Sequence, residues 1–402
     1  MQPSFQPTSK LVMTISLLLI TSLHTMIFTF FQIPDNFLNE ELIGKLFYLK
    51  VLVYVSALII TCLNQKIMQA ISLKHTMICG LLCNLLALGL IWISLSMGGN
   101  LVLIVFSLFF IGLALPSVFN CLITYFVLEY PKKTGVGFVA LFAFANGGVL
   151  LSSILFAAFR ANHFSEGFFL LTMGLLVIAA FFVAYRFFDP RTPKHFEHFR
   201  RGTLLWKEMH YRLALFVLAA MAYAMAESTF SLWGEVYMRQ FISAIASSET
   251  ISVFWLSLIV GQLLLLAPLY FIPAKRIFPI LILFVAFALF FFRQQMHTSG
   301  FLTSLILGGL GCSAIFPILL SFMEKELMLV SGRSHQESFL PFIETGTSLM
   351  IGGYILGIGC MDLWVQKADQ ISPLPIDQTF HSAILLIAAT GLIITYLNWS
   401  AE

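Results

Sequence analysis

The sequence predicts an all-α polytopic membrane protein, with twelve transmembrane helices in two halves of six. Three observations lead there. The 402 residues are 59% hydrophobic and only 10% charged, whereas soluble domains carry roughly 25% charged residues. Apolar runs of about 20 residues, enough to cross about 30 Å of hydrocarbon, recur along the whole chain. A basic interval containing Pro190 and Pro193 divides those runs into two equal sets. A soluble chain this poor in charge could not cover its own surface. Lipid tails solvate apolar side chains and remove that requirement.

The spans of the first half fall at 10–32, 42–63, 76–97, 101–129, 136–159 and 167–187. The first follows only Lys10. It is too long for a secretory signal core and lacks a small-residue cleavage site, so it is expected to stay as a membrane helix. Ser96-Met97-Gly98-Gly99-Asn100 reads as a tight turn between the third and fourth spans. The second half has spans at 211–238, 250–272, 277–294, 299–324, 339–362 and 380–399. Pro273-Ala274-Lys275-Arg276 reads as another tight turn, and Asp362 to Thr379, with Pro373 and Pro375, as an outer loop. The expected organisation is an N-terminal bundle over 1–187, a cytoplasmic central loop over 188–210 and a C-terminal bundle over 211–402.

Orientation follows from Lys and Arg, which concentrate on the cytoplasmic side. With the N-terminus inside, the cytoplasmic segments hold Lys10, Lys66, Lys74, Lys132 and Lys133. The central loop and its edges add Arg186, Arg191, Lys194, Arg200, Arg201, Lys207 and Arg212. Lys275, Arg276, Lys325 and Arg333 follow, which places sixteen of the 22 basic residues inside. Both termini are therefore expected in the cytoplasm, as an even span count requires.

Several function classes find no support. A net charge of +3 gives no global field for nucleic acid. The six cysteines all sit inside apolar runs without metal spacing and read as reduced small hydrophobes. There is no GxxxxGK[ST] phosphate loop, no HExxH, no GxSxG and no CxxC. His195-Phe196-Glu197-His198 lies in the basic loop, where a solvated segment is the simpler reading than a metal site. No enzyme, cofactor or metal is expected.

Ionisable groups within spans need a partner or a use, because hydrocarbon makes them costly. Glu227 lies near mid-depth of the seventh span, within Tyr223-Ala224-Met225-Ala226-Glu227-Ser228-Thr229. A carboxyl taken out of water favours its neutral form and can carry a proton; the plainer reading is a helix–helix hydrogen bond. Glu344 lies low in the eleventh span and reads as a second titrating or substrate-binding group, or as a gate group reaching cytoplasmic water. Lys50, in the second span, can bind an anionic group, pair with a carboxylate or snorkel on its stem. His24 shares a helical face with Thr21, Thr25 and Phe28. It reads as a cavity-lining relay or as a histidine satisfied by a neighbouring helix.

Neutral polar residues extend the set. Asn84, Asn120, Asn146 and Gln262 each interrupt an apolar span, and Gly147 and Gly148 after Asn146 permit close helix approach. Trp233 and Tyr237, one turn apart and outward of Glu227, can stack on a solute ring or belong to the interfacial aromatic belt. Glu235 and Arg293 read as interface anchors.

Several segments resemble the fucose–proton symporter branch of the major facilitator superfamily. Ile71-Ser72-Leu73-Lys74 through Gly80-Leu81 is similar to its loop between helices two and three. Leu42-Ile43 and Phe47-Tyr48 resemble its second helix, with Lys50 a departure, and Asn120 fits the Asn of its fourth. Phe144-Ala145-Asn146-Gly147 resembles the fifth helix. Tyr223 to Glu227 resembles the seventh-helix pattern Tyr-x-Gly-Ala-Glu, with Met225 in place of Gly. Trp255 through Gly261-Gln262 resembles the eighth, with Gln262 where many relatives have Arg, and Phe316-Pro317, Ser321 and Lys325 resemble the tenth. The branch's acidic residue in the fourth helix has no counterpart, since Pro116 falls near there, and its first-helix Asp has no secure match. The sugar and its proton site are therefore not carried over.

The resemblance implies a monomeric secondary transporter of the bacterial inner membrane, working by alternating access. Its expected cargo is a small polar solute, anionic if Lys50 faces the cavity, with Glu227 coupling transport to protons. Asn120, Asn146 and Gln262 would supply orienting hydrogen bonds. A drug or metabolite efflux pump of the same fold, and a non-transporting solute sensor, are the alternatives. If Lys50 binds solute, Lys50→Ala is expected to abolish uptake of anionic solutes while the protein still inserts. Unchanged uptake in vesicles removes it from the site.

Overall fold

The computed structural model describes residues 7–27, 40–131, 133–161, 165–187, 205–330, 340–370 and 376–399. Among them every regular element is a helix. In lipid a lone helix satisfies its own backbone, which an open strand cannot. The first half contains α1 (Pro7–Met26), α2 (Glu40–Ile71), α3 (Leu73–Ser96), α4 (Leu101–Glu129), α5 (Thr134–Ala161) and α6 (Ser165–Arg186). The second contains α7 (Leu205–Ser228), a π-helical turn Thr229–Trp233, α8 (Gly234–Met238) and α9 (Ala244–Phe271). It continues with α10 (Ala274–Arg293), α11 (Thr298–Cys312), α12 (Ile315–Val330), α13 (Leu340–Gln370) and α14 (Ile376–Trp399).

Among the described residues, ten helical segments are long and apolar enough to cross a membrane, and the apolar pieces Lys10–Met26 and Val51–Asn64 stand where the first two spans were expected. Their outward faces are apolar: Leu392, Leu385 and Leu283 are 72%, 70% and 68% exposed. A water-soluble surface does not carry such side chains in contiguous faces. The chain is a multi-pass membrane protein.

The Met97–Asn100 turn forms as expected. Gly98 and Gly99 adopt φ of 76° and 90°, a region open to glycine at no steric cost. The Asn100 side chain then accepts from the Val102 amide at 3.0 Å and caps α4. Other boundaries move. Asp362–Gln370, expected as loop, continues α13, because no Gly or Pro stops the helix before Pro373. Lys275 and Arg276 lie in the first turn of α10, behind Pro273 at its N-cap. The tenth span divides at Ser313–Ala314 into α11 and α12, where Pro317 has no amide to offer the Ser313 carbonyl.

The chain forms two compact units. One comprises residues 1–129 and 141–191, the other 130–140 and 192–402. In the first, hydroxyls tie helices together through backbone carbonyls. Ser22 donates to Phe144 at 2.7 Å, Thr25 to Ala145 at 2.6 Å, and Ser152 to Met26 at 2.7 Å. Gly148 makes room for this α1–α5 contact, since a Cβ there would strike the Ser22 carbonyl.

In the second unit, glycines do the same work. A Cβ on Gly353 would come within 2.8 Å of the Val217 backbone, and one on Gly357 within 2.5 Å of the Met221 carbonyl. The two lie one turn apart on α13 and let it approach α7 closely, a small-xxx-small contact. Gly174, in α6, has nothing within 4 Å of such a Cβ. Gly357→Ala is therefore expected to destabilise the protein by about 1–3 kcal/mol through overpacking. Gly174→Ala, at an open helical position, is expected to stabilise by up to about 1 kcal/mol. Denaturation of the purified protein in detergent separates the two.

Candidate functional site

The close approach of α13 to α7 brings Tyr354 against Glu227. The Tyr354 hydroxyl donates to the Glu227 carboxylate oxygen Oε2 at 2.8 Å. Glu227 is buried, 7% exposed. Tyr223 lies one turn earlier on α7, on the same face, with its hydroxyl in hydrogen-bonding reach of the same carboxyl. That hydroxyl donates its own hydrogen to the Cys312 carbonyl at 2.7 Å. The carbonyl is available because α11 ends there. The two phenol rings stack at 6.3 Å, and Phe316 closes on Tyr354 at 4.4 Å.

This geometry has a chemical consequence. A Tyr hydroxyl has one hydrogen to give. Tyr354 gives its hydrogen to Glu227, while Tyr223 has spent its own on Cys312 and can only accept. The carboxyl thus meets one donor and one acceptor, the complement of a neutral carboxylic acid. Among the described residues no cation pairs with it.

The helix departs from regularity directly after this group. Thr229–Trp233 forms a π turn, closed by the Gly234 amide on the Thr229 carbonyl. Such turns are rare and occur frequently at functional sites. Trp233, on this turn, is 1% exposed, and its indole Nε1 has no hydrogen-bond partner. Tyr237 is also interior: it packs against Phe292, Phe301 and Phe380 and donates to the Arg293 carbonyl at 2.6 Å. Both belong to the packed interior of the unit rather than to an interfacial belt. Arg293 itself donates to His381 at 2.6 Å.

Gln262 is buried on α9 beside Gly261, which packs on Ser313 at the α11–α12 break. Glu344 is 2% exposed near the start of α13, two residues before Gly346, which packs on Met323 and Leu327 of α12.

The first unit holds its own polar set. His24 is buried, and the Asn84 carboxamide donates to its Nδ1. The ring stands edge-on to Phe119 at 5.6 Å, and Phe119 stacks on Phe142 at 5.7 Å. His24 thus has the neighbouring-helix partner that a packing role requires. Asn120 is fully buried and both its amide atoms lack partners; Thr124, one turn on, is in the same condition. Asn146 is half-buried on α5. The side chains of Lys50 and Glu235, and the segment with His195 and His198, lie outside the described residues.

Sequence reasoning missed Tyr354, and it saw Tyr223 only as part of a motif. The available signal was the Gly353-Tyr354…Gly357 pattern, which places a phenol at a close helix contact. It also missed Glu324, a carboxyl on α12 that is 1% exposed.

No protein-family profile matches the sequence, and no curated protein does. Solved structures do. The chain is similar to a major facilitator superfamily transporter, FucP, in an outward conformation, with a TM-score of 0.76 at 13% identity over 97% of this chain and 99% of that one. It is similar to the human organic anion transporter MFSD10, with a TM-score of 0.71 at 12% identity over 96% and 100%. A bacterial homologue of the iron transporter ferroportin gives 0.69 at 11% identity over 97% and 99%. Near-complete coverage on both sides establishes the fold: the chain adopts the major facilitator fold.

If Tyr354 and Glu227 interact as the geometry has it, their substitutions are not additive. Tyr354→Phe, Glu227→Met and the double variant are expected to show a coupling energy of about 0.5–3 kcal/mol in a stability cycle. Additive effects would separate the two residues.

Proposed function

On the major facilitator fold, we propose that this chain is a secondary active transporter for a small polar solute, coupled to protons through Glu227. The carrying observation is the pairing of that carboxyl with one donor, Tyr354, and one acceptor, Tyr223. A site complementary to the neutral acid holds a proton, with no counter-cation among the described residues, and it releases that proton when the acceptor Tyr223 moves away while the donor Tyr354 stays to stabilise the carboxylate. A π turn directly after Glu227 supplies a helix segment suited to such movement. Fold neighbours named as transporters of fucose with protons, of organic anions and of iron support transport as the function class.

Two bundles of six helices, N-terminal over 1–187 and C-terminal over 211–402, would alternate access around the solute. Asn120, whose buried amide has no partner, and Trp233, whose indole N–H has none, are the groups best suited to meet solute oxygens. A buried donor or acceptor left unsatisfied costs about 1–3 kcal/mol, which a bound solute or water recovers. Lys50 would make the solute anionic if it contacts it. The expected setting is the bacterial inner membrane, with both termini cytoplasmic.

Proton movement in liposomes tests this, with a panel of sugars, amino acids and carboxylates. Solute-dependent proton flux is expected in the wild type. In Glu227→Gln it should fall at least about tenfold, because an amide holds no exchangeable acid proton. Flux retained in the variant removes Glu227 from coupling. No flux with any solute in the folded wild type favours the sensor.

A further inference from the structure

We infer that Glu324 is a second proton-binding carboxyl, one whose access to water is controlled by the first turn of α5. This stands apart from the Glu227 reading and does not need solute transport to be proton-driven.

Glu324 lies near the end of α12 and is 1% exposed. Neither carboxyl oxygen makes a well-formed hydrogen bond, and the side chain nearest to serving as partner is Thr134. Thr134 opens α5 and is itself 2% exposed. The next residue, Gly135, sits on α12 so closely that a Cβ would lie 3.2 Å from the Ser321 hydroxyl. Glycine is what permits this contact. Lys133, just before, rests 3.2 Å from the centre of the Tyr270 ring. Residues 130–140 accordingly group with the second unit, although α5 continues from Leu141 in the first.

The charges around Glu324 do not neutralise it. Arg212 of α7 is committed to Glu326. Lys325, its chain neighbour, is exposed, as are Lys275 and Arg276 at the start of α10. On α13, Glu344 is another buried acid. Lys133 faces Tyr270. A carboxylate sealed from water without a contacting cation or a full set of hydrogen bonds is costly. The covered arrangement therefore holds the neutral acid, and ionisation requires the α5 turn to lift. Cover and proton come and go together: docking of residues 134–140 binds a proton, and undocking releases it.

Linkage fixes the sign. The docked form binds the extra proton, so docking is favoured at low pH and weakens as pH rises through its titration. Hydrogen–deuterium exchange of amides 134–140, corrected for intrinsic rates, reads this in the full-length protein without solute or gradient. As pH rises through the titration of Glu324 the wild type should exchange progressively faster, by up to about tenfold per pH unit for a single proton. Glu324→Gln, permanently neutral, should exchange slowly with no pH dependence. Glu324→Asp, which still titrates, should keep the slope. Amides of α11 serve as the folding control. If they show Glu324→Gln to be unfolded, the wild-type and Asp curves decide. A flat wild-type profile, or a Gln variant that follows the wild type, overturns the assignment. Because no transport is measured, failure here leaves the Glu227 experiment intact, and the converse holds.

Discussion

A carboxyl held away from water inside a helix bundle must find its hydrogen bonds there, and Glu227 finds them in two tyrosines. That constraint governs the second unit. Each tyrosine has its own requirement: Tyr223 needs an acceptor for its hydrogen and takes the Cys312 carbonyl. Cys312 can offer it because α11 stops at that residue, ahead of a proline that cannot continue the ladder. One buried acid is thus tied to a helix break on another element, through groups that each satisfy one bond. Removing any member strands another, so such networks are worth more than their separate bonds.

Holding that network in place is a packing problem of a particular kind. Lipid is as apolar as the helices, so no hydrophobic force drives one against another. Association depends on close contact, and close contact depends on missing side chains. Gly353 and Gly357 supply it between α13 and α7, and Gly309 does so between α11 and α9, where a Cβ would meet the Phe254 carbonyl at 2.5 Å. In the first unit hydroxyls reinforce the effect, with Thr25 and Ser22 donating across to α5. The polar site and the small-residue contacts are parts of one arrangement, since Tyr354 reaches Glu227 only at the distance its neighbouring glycine allows.

Hydropathy made the spans legible, because the requirement for about 20 apolar residues is local and strong. Glu227 stood out for the same reason, as a charge where lipid tolerates none. The turn at Gly98–Gly99 was readable from composition alone. What stayed hidden was tertiary. Tyr354 is one of 11 tyrosines, and nothing local distinguishes it until α13 meets α7. Glu324-Lys325-Glu326 reads as the solvated end of a helix, yet two of its three side chains are buried. Helix ends moved for a different reason: Pro373 and Pro375 mark a loop, but they act only where they stand, and Asp362–Gln370 before them continues the helix.

The two buried carboxyls differ in what covers them, and that difference separates their roles. Glu227 is enclosed by α7 and α13, both wholly within the second unit. Its environment changes when the unit changes internally, and the π turn at Thr229–Trp233 is the irregular segment best placed to do so. Glu324 is covered by the start of a helix whose remainder belongs to the first unit. On the proposed reading, its environment changes when residues 134–140 lift. On the proposed readings, a proton on Glu227 would report on the inside of the second unit, and a proton on Glu324 on the docking of residues 134–140. The two carboxyls would then take up and release protons as separate events, because different elements cover them.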